Sequence, residues 1–173
     1  MKLIDVLVIR GAPGVGKSTL GKLLTKEFPK GVKIEVDILR KMVNAVDWKN
    51  QQEHINLLQV AAKLTESFLS IGFRPVIVVD TFSGNKVTAY LETVRRLRPD
   101  VSIQLIGLYA SPETLHRRIE ARPSDEFKDF SISVKINADL QQFKIPHEHQ
   151  IDTTDFSPEA LVMELQSKLK YDA

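Results

Sequence analysis

The chain has 173 residues, 43% hydrophobic and 27% charged, a balance that suits one ordinary globular domain over 1–173 and excludes wholesale disorder. No apolar run approaches the ~20 residues of a membrane-crossing helix, and the N-terminus lacks a signal-peptide h-region, so a cytoplasmic protein with no membrane partner is expected. The absence of Cys excludes disulfides, a thiol nucleophile and Cys-based zinc, while a net charge of +2 gives no broad basic field for nucleic acid.

In chain order, Leu3–Ile9 is a short β-rich run ending at Gly11, and Leu20, Leu23, Leu24 and Phe28 give Ser18–Phe28 helical spacing. Val32–Val36 reads as a second strand closed by Asp37, with Ile38, Leu39, Met42 and Val43 on a short helical pattern beyond it. In Gln51–Ile71, the stripe of Ile55, Leu58, Ala62 and Leu69 is widened by Leu57, Ala61, Leu64 and Phe68, which predicts a long, substantially buried helix stopped by Gly72. Pro75–Val79 is continuously apolar, as in a parallel strand covered on both faces, and it ends at Asp80. Val87, Tyr90, Leu91 and Val94 mark a further helix, terminated by Pro99-Asp100 before a fourth strand around Val101–Tyr109. Ser111-Pro112-Glu113 and Ser157-Pro158-Glu159 both look like helix starts, and a fifth strand is expected near His149–Ile151. Arg122–Lys144, the least regular and most polar stretch, is expected to be a mobile cover within a lid at about 112–144. The β–α alternation implies a parallel, right-handed α/β sheet.

Gly11-Ala12-Pro13-Gly14-Val15-Gly16-Lys17-Ser18 fits G-x-x-x-x-G-K-[ST] in full, between an expected strand and an expected helix. Its glycines let backbone N–H groups converge on phosphate oxygens at a helix N-terminus. Lys17 then brings a point charge to the β/γ-phosphates, and Ser18 can ligate magnesium. A nucleoside triphosphate, taken as ATP with Mg²⁺, is the expected ligand. Thr19 either assists the phosphates or packs in the first helical turn.

Ligands of open α/β sheets bind beyond the carboxyl ends of strands, where Asp37 and Asp80 both fall. Phosphoryl transfer to a hydroxyl needs one carboxylate to orient and deprotonate the acceptor, which suits Asp37, and one to support the metal shell, which suits Asp80; the roles could be exchanged. The alternative for Asp37 is a helix cap, and for Asp80 a turn or capping role. Arg40, three residues after Asp37, shares a helix face with it and could bind the acceptor or sit solvated. Arg118 and Arg122 are i, i+4 neighbours able to clamp a γ-phosphoryl group, or to form a solvated charged face. His147-Glu148-His149 is weak evidence for a metal, and Trp48, Phe82, Phe127 and Phe130 are read as core or lid packing.

Taken together, the Gly11–Ser18 loop, Asp37-x-x-Arg40, Val78-Val79-Asp80-Thr81 and Arg118-x-x-x-Arg122 resemble the small P-loop kinases related to polynucleotide 5′-hydroxyl kinase. Chloramphenicol phosphotransferase and zeta-type toxins share a similar layout more distantly. The resemblance implies a three-layer P-loop NTPase with a five-stranded parallel sheet in the order 2-3-1-4-5 and a helical lid. It implies Asp37 as general base, Arg40 on the acceptor, and Arg118 and Arg122 on the ATP phosphates. The sequence departs from the pattern in three places: Phe82 replaces a common Asn, no Asn follows the first lid arginine, and Arg10 precedes the loop where an apolar residue is usual. The expected activity is transfer of the γ-phosphate of ATP to a hydroxyl of a small-molecule or nucleotide-like acceptor, a nucleic-acid end being less favoured. The alternative is a regulatory NTPase switch with no acceptor.

Overall fold

The computed structural model describes residues 4–168; Leu3, where the first strand was expected to begin, lies outside the described residues. The elements run β1 (Val6–Gly11), α1 (Lys17–Lys26), β2 (Val32–Glu35), α2 (Val36–Lys41), α3 (Gln51–Ser70) and β3 (Val76–Asp80). They continue with α4 (Lys86–Leu97), β4 (Ile103–Tyr109), α5 (Pro112–Glu120), α6 (Phe130–Gln142), β5 (Glu148–Asp152) and α7 (Pro158–Lys168). The five strands form one parallel sheet in the order 2-3-1-4-5, as the family resemblance implied.

Central β1 is buried along its whole length because helices cover both sides of the sheet. Leu7, Ile9, Ile77 and Val79 face a core completed by α1, α5 and α7 through Leu20, Leu24, Leu115, Leu161 and Leu165. Val6, Val8, Val76 and Val78 face the opposite core, built with Leu58, Ala62 and Leu69 of α3 and Val87, Tyr90 and Val94 of α4. Each such aliphatic side chain removed from water contributes about 1.5–3 kcal/mol, which explains the unbroken apolar runs of β1 and β3. The two Ser-Pro-Glu starts behave as read: Ser111 Oγ accepts the Thr114 N–H, and Ser157 Oγ accepts the Ala160 N–H.

Two expectations change. Helix α2 follows β2 without a loop, so Asp37 lies in the first turn of α2, and Glu35 occupies the cap position without a capping hydrogen bond. Of the apolar residues read beside Asp37 only Leu39 packs against the core, since Ile38, Met42 and Val43 are all exposed. The second change concerns Arg122–Lys144, which contains the thirteen-residue helix α6 rather than irregular chain. Two of its polar residues are interior: Ser133 Oγ donates to Pro13 O at 2.5 Å, and Asn137 exchanges hydrogen bonds with the backbone of Ala110 at 2.9 and 3.3 Å. Main-chain partners on other elements satisfy these two groups, so the helix can turn a face that carries polar residues to the sheet.

Arg10 explains its own departure from the family pattern. Its Nε and Nη2 pair with both carboxylate oxygens of Glu148 at 2.5 and 2.7 Å, and Nη2 also donates to Phe143 O at 2.8 Å. Both charged side chains are 1% exposed, so β1, β5 and the end of α6 are tied by one buried fork. Glu148 is thereby committed to structure, and among the described residues no cluster of three His, Cys, Asp or Glu side chains could hold a metal by itself.

Candidate active site

The site starts from the loop between β1 and α1. A Cβ on Gly11 would stand 2.6 Å from Leu108 O and 2.7 Å from the Val15 side chain, so only glycine lets the loop turn this close to β4. Gly16 caps α1 with φ +99°, a conformation in which a side chain would be strained even though nothing crowds it. The result is a ring of backbone around the N-terminus of α1. Lys17 reaches back across that ring, and its Nζ donates to Ala12 O at 2.9 Å. Burial lowers the Lys17 pKa from 10.5 to about 8, with Arg122 adding to the fall, against the attraction of Asp80, Asp37 and Glu35.

These same groups act on one another, which brings the loop, Asp37 of α2, Asp80 at the end of β3 and Arg122 to a single place. Asp37 is held above the usual carboxylate range by desolvation and by the charge of Asp80, against Lys17 and Arg40. Its carboxylate is still reachable from solvent. A raised proton affinity at an accessible carboxylate suits a base.

Ser18 Oγ donates to Glu35 Oε1 at 2.5 Å, and Lys33 Nζ donates to Glu35 Oε2 at 2.7 Å. Burial works against the Glu35 charge, but those two hydrogen bonds together with the charges of Lys33 and Lys17 outweigh it and leave the pKa below its ordinary value. Glu35 ends β2, and it escaped the sequence reading because that strand was expected to run one residue further, to Val36, and to close at Asp37. A carboxylate two positions before Asp37 was the available signal. The serine hydroxyl, with Asp80 and Glu35 close to the loop lysine, gives a set of hard oxygen donors that fits Mg²⁺, an ion usually held by one or two protein groups plus phosphates.

Asp80 is 5% exposed and accepts the Phe82 N–H at Oδ2, at 2.8 Å. Its Oδ1 lies 3.2 Å from His54 Nε2, and His54 Nδ1 lies 3.1 Å from Lys86 Nζ. Neither His54 nor Lys86 was found from sequence, because each reads there as one polar residue on an amphipathic helix. Burial lowers the Lys86 pKa. Phe82 itself has φ +49° and is fully buried, its ring centroid 5.4 Å from that of Tyr90. A left-handed residue is where Asn is the tolerated non-glycine choice, so the Asn of the family pattern is replaced here by core packing.

Arg40 is 6% exposed rather than solvated. Its guanidinium lies 4.4 Å from the centroid of the half-exposed Trp48 ring, Nη2 donates to Asp47 O at 3.3 Å, and Nε is buried without a hydrogen-bond partner. On the opposite side Arg118 donates to Thr153 twice, to Oγ1 at 3.0 Å and to the carbonyl at 2.7 Å, while Thr153 Oγ1 donates to Val15 O at 3.0 Å. Arg122 is anchored more loosely, to Phe127 O at 3.3 Å. The lid arginines thus divide, one bound to the loop's flank and the other acting on Lys17.

Two cavities adjoin these groups. One of about 260 Å³ is bounded by Gly14–Gly16, Thr19, Arg118, Arg122, Thr153 and Phe156, near the lower edge of the ~300–1,000 Å³ range of small-molecule sites. Thr19 is exposed and borders this first cavity. The other, about 340 Å³, lies between Ser83-Gly84 after β3 and Ile136, Asp139, Leu140 and Phe143 of the α6 segment.

A family model described as an AAA domain matches residues 6–144. No curated protein matches the sequence. Among solved structures, a gluconokinase from Sinorhizobium meliloti 1021 is 18% identical with a TM-score of 0.68, over 98% of this chain and 94% of that one. The tunicamycin resistance protein of Deinococcus radiodurans is 16% identical with a TM-score of 0.73, over 98% and 97%. The Mycobacterium tuberculosis APS kinase CysC, solved with AMPPNP and APS, is 16% identical with a TM-score of 0.67, over 98% and 99%. These likenesses show a shared P-loop kinase fold, and with the family match over most of its length the chain belongs to the AAA_33 family of AAA domains.

Proposed function

We propose that this protein is an ATP- and Mg²⁺-dependent phosphotransferase that moves the γ-phosphoryl group to a hydroxyl of a small-molecule or nucleotide-like acceptor. The observation that carries the reading is the convergence of Lys17, Asp37 and Asp80: a loop lysine, a carboxylate with raised proton affinity and a buried carboxylate at the end of β3. The cavity beside Gly14–Gly16 and Thr153 would take the nucleoside, with Arg118 and Arg122 of the 112–144 segment on its wall.

The chemistry follows from these positions. Ala12, Pro13 and their neighbours in Gly11–Ser18 present amides to the phosphates, and Lys17 leaves Ala12 O to meet the β/γ oxygens. Ser18 and Asp80 would hold Mg²⁺, which when bound neutralises charge on the β- and γ-phosphates. The acceptor hydroxyl, oriented by Asp37 and Arg40, gives its proton to Asp37 as its oxygen bonds to the γ-phosphorus. The bond to the β–γ bridging oxygen breaks, and ADP leaves with that electron pair. Arg122 lies close enough to act on Lys17 and so on the charge that spreads over the γ-oxygens.

The test is transfer of label from γ-labelled ATP to a panel of nucleosides, sugars, hydroxylated antibiotics and 5′-hydroxyl oligonucleotides. Asp37→Asn should keep MgATP affinity and lower transfer by about 10²-fold or more, since it removes the base alone. ATP hydrolysis that no acceptor stimulates, or full transfer by Asp37→Asn, would overturn the proposal.

A further inference from the structure

We propose that His54, fixed in one tautomer by Lys86, is a positioning residue that aims the Asp80 carboxylate at the nucleotide-bound metal ion. The inference rests on the phosphotransferase reading, and it assigns work to three groups which that reading leaves idle. His54 and Lys86 are 6% and 8% exposed, and Gln51 Oε1 accepts from Lys86 Nζ at 2.5 Å. Burying an imidazole, an ammonium and a carboxylate together is unfavourable unless every group is satisfied, and apolar residues would fill the same space at less cost.

The hydrogen-bond chemistry has one solution. An ammonium has only donors, so the Lys86–His54 contact of 3.1 Å requires a lone pair on Nδ1. The imidazole hydrogen therefore sits on Nε2, which lies 3.2 Å from both Asp80 oxygens, and donates to the carboxylate. The Phe82 amide holds Oδ2. Held by the imidazole across both oxygens and by the amide at Oδ2, the carboxylate is fixed from two directions, and Asp80 is the first among the carboxylates that stabilise the Lys17 charge. Gln51 and His54 come from the first turn of α3 and Lys86 begins α4, so the packing of these two helices sets the aim of a group at the strand end. Hydrogen-bond partners behind a metal-binding carboxylate are commonly worth 10–100-fold in metal affinity.

Mn²⁺ with a non-hydrolysable β,γ-imido analogue of ATP is the probe, titrated by electron paramagnetic resonance. His54→Leu, which can neither donate to Asp80 nor accept from Lys86, should weaken Mn²⁺ binding in the ternary complex by about tenfold or more. His54→Gln supplies an amide N–H and a carbonyl oxygen in their place and should restore most of the loss. Long-range ¹H–¹⁵N spectra of the imidazole should show the Nε2–H form in wild type and its loss of preference in Lys86→Met, a readout that survives if His54→Leu folds poorly. Wild-type Mn²⁺ affinity in folded His54→Leu, or an Nδ1–H tautomer in wild type, would overturn the inference. Failure of wild type to take up Mn²⁺ with the analogue would instead overturn the phosphotransferase reading beneath it.

Discussion

Nucleotide binding at alkaline pH should draw in a proton through Lys17. In the free protein burial holds this ammonium at a pKa of about 8, and its nearest acceptor is a carbonyl, Ala12 O. Phosphate oxygens favour the charged form, so binding raises the pKa back toward or above 10.5, and the lysine must be protonated in the complex. At about pH 8.5 roughly three quarters of the free protein has a neutral Lys17, against roughly a tenth at about pH 7. Uptake should therefore be close to 0.75 proton per nucleotide at the higher pH and about 0.1 at the lower. The sign follows from linkage: affinity is full below the free pKa and falls as pH rises through it, by about 20-fold between pH 7.5 and 9.5. Calorimetric titration with the non-hydrolysable analogue, in two buffers of different ionisation enthalpy, measures the uptake directly. A buffer-independent enthalpy at about pH 8.5, or the same uptake in Lys17→Met, would refute the reasoning.

Three further outcomes are expected. Arg118→Ala should raise the Kd for ATP because it frees Thr153 beside the nucleoside cavity, whereas Arg122→Ala should lower kcat more than it raises Kd; identical kinetic profiles for the two would count against this division. Phe82→Asn should relax a left-handed backbone by about 1 kcal/mol yet lose a buried ring worth about 3–5 kcal/mol, so denaturant unfolding should show a net loss of about 2–4 kcal/mol and no gain. Arg10→Met should cost about 3–5 kcal/mol by stranding Glu148, and the double variant Arg10→Met, Glu148→Gln should recover part of it; strictly additive losses in the cycle would show that the pair is not coupled.

The sequence by itself determined the phosphate loop, the strand-helix alternation and both Ser-Pro-Glu starts, because each is written within a few neighbouring residues. A glycine at a left-handed position, a serine capping an amide three residues on and an apolar run between two helices are local or periodic signals. Asp80 was likewise legible as a strand end and Asp37 as the residue just beyond one, and with them the carboxyl edge of the sheet at which the two carboxylates lie. Tertiary structure decided the partners. Glu35 joins the site only because β2 brings it to Ser18 at the start of α1, and His54 reaches Asp80, with Lys86 behind it, only once α3 and α4 pack on the same side of β3. Helix α6 was misread for the same reason: Ser133 meets Pro13 and Asn137 meets Ala110, contacts separated by 120 and 27 residues. Hydropathy registers a polar side chain as a preference for water, but a buried main-chain partner satisfies it equally well, and such a partner exists only after the sheet has assembled.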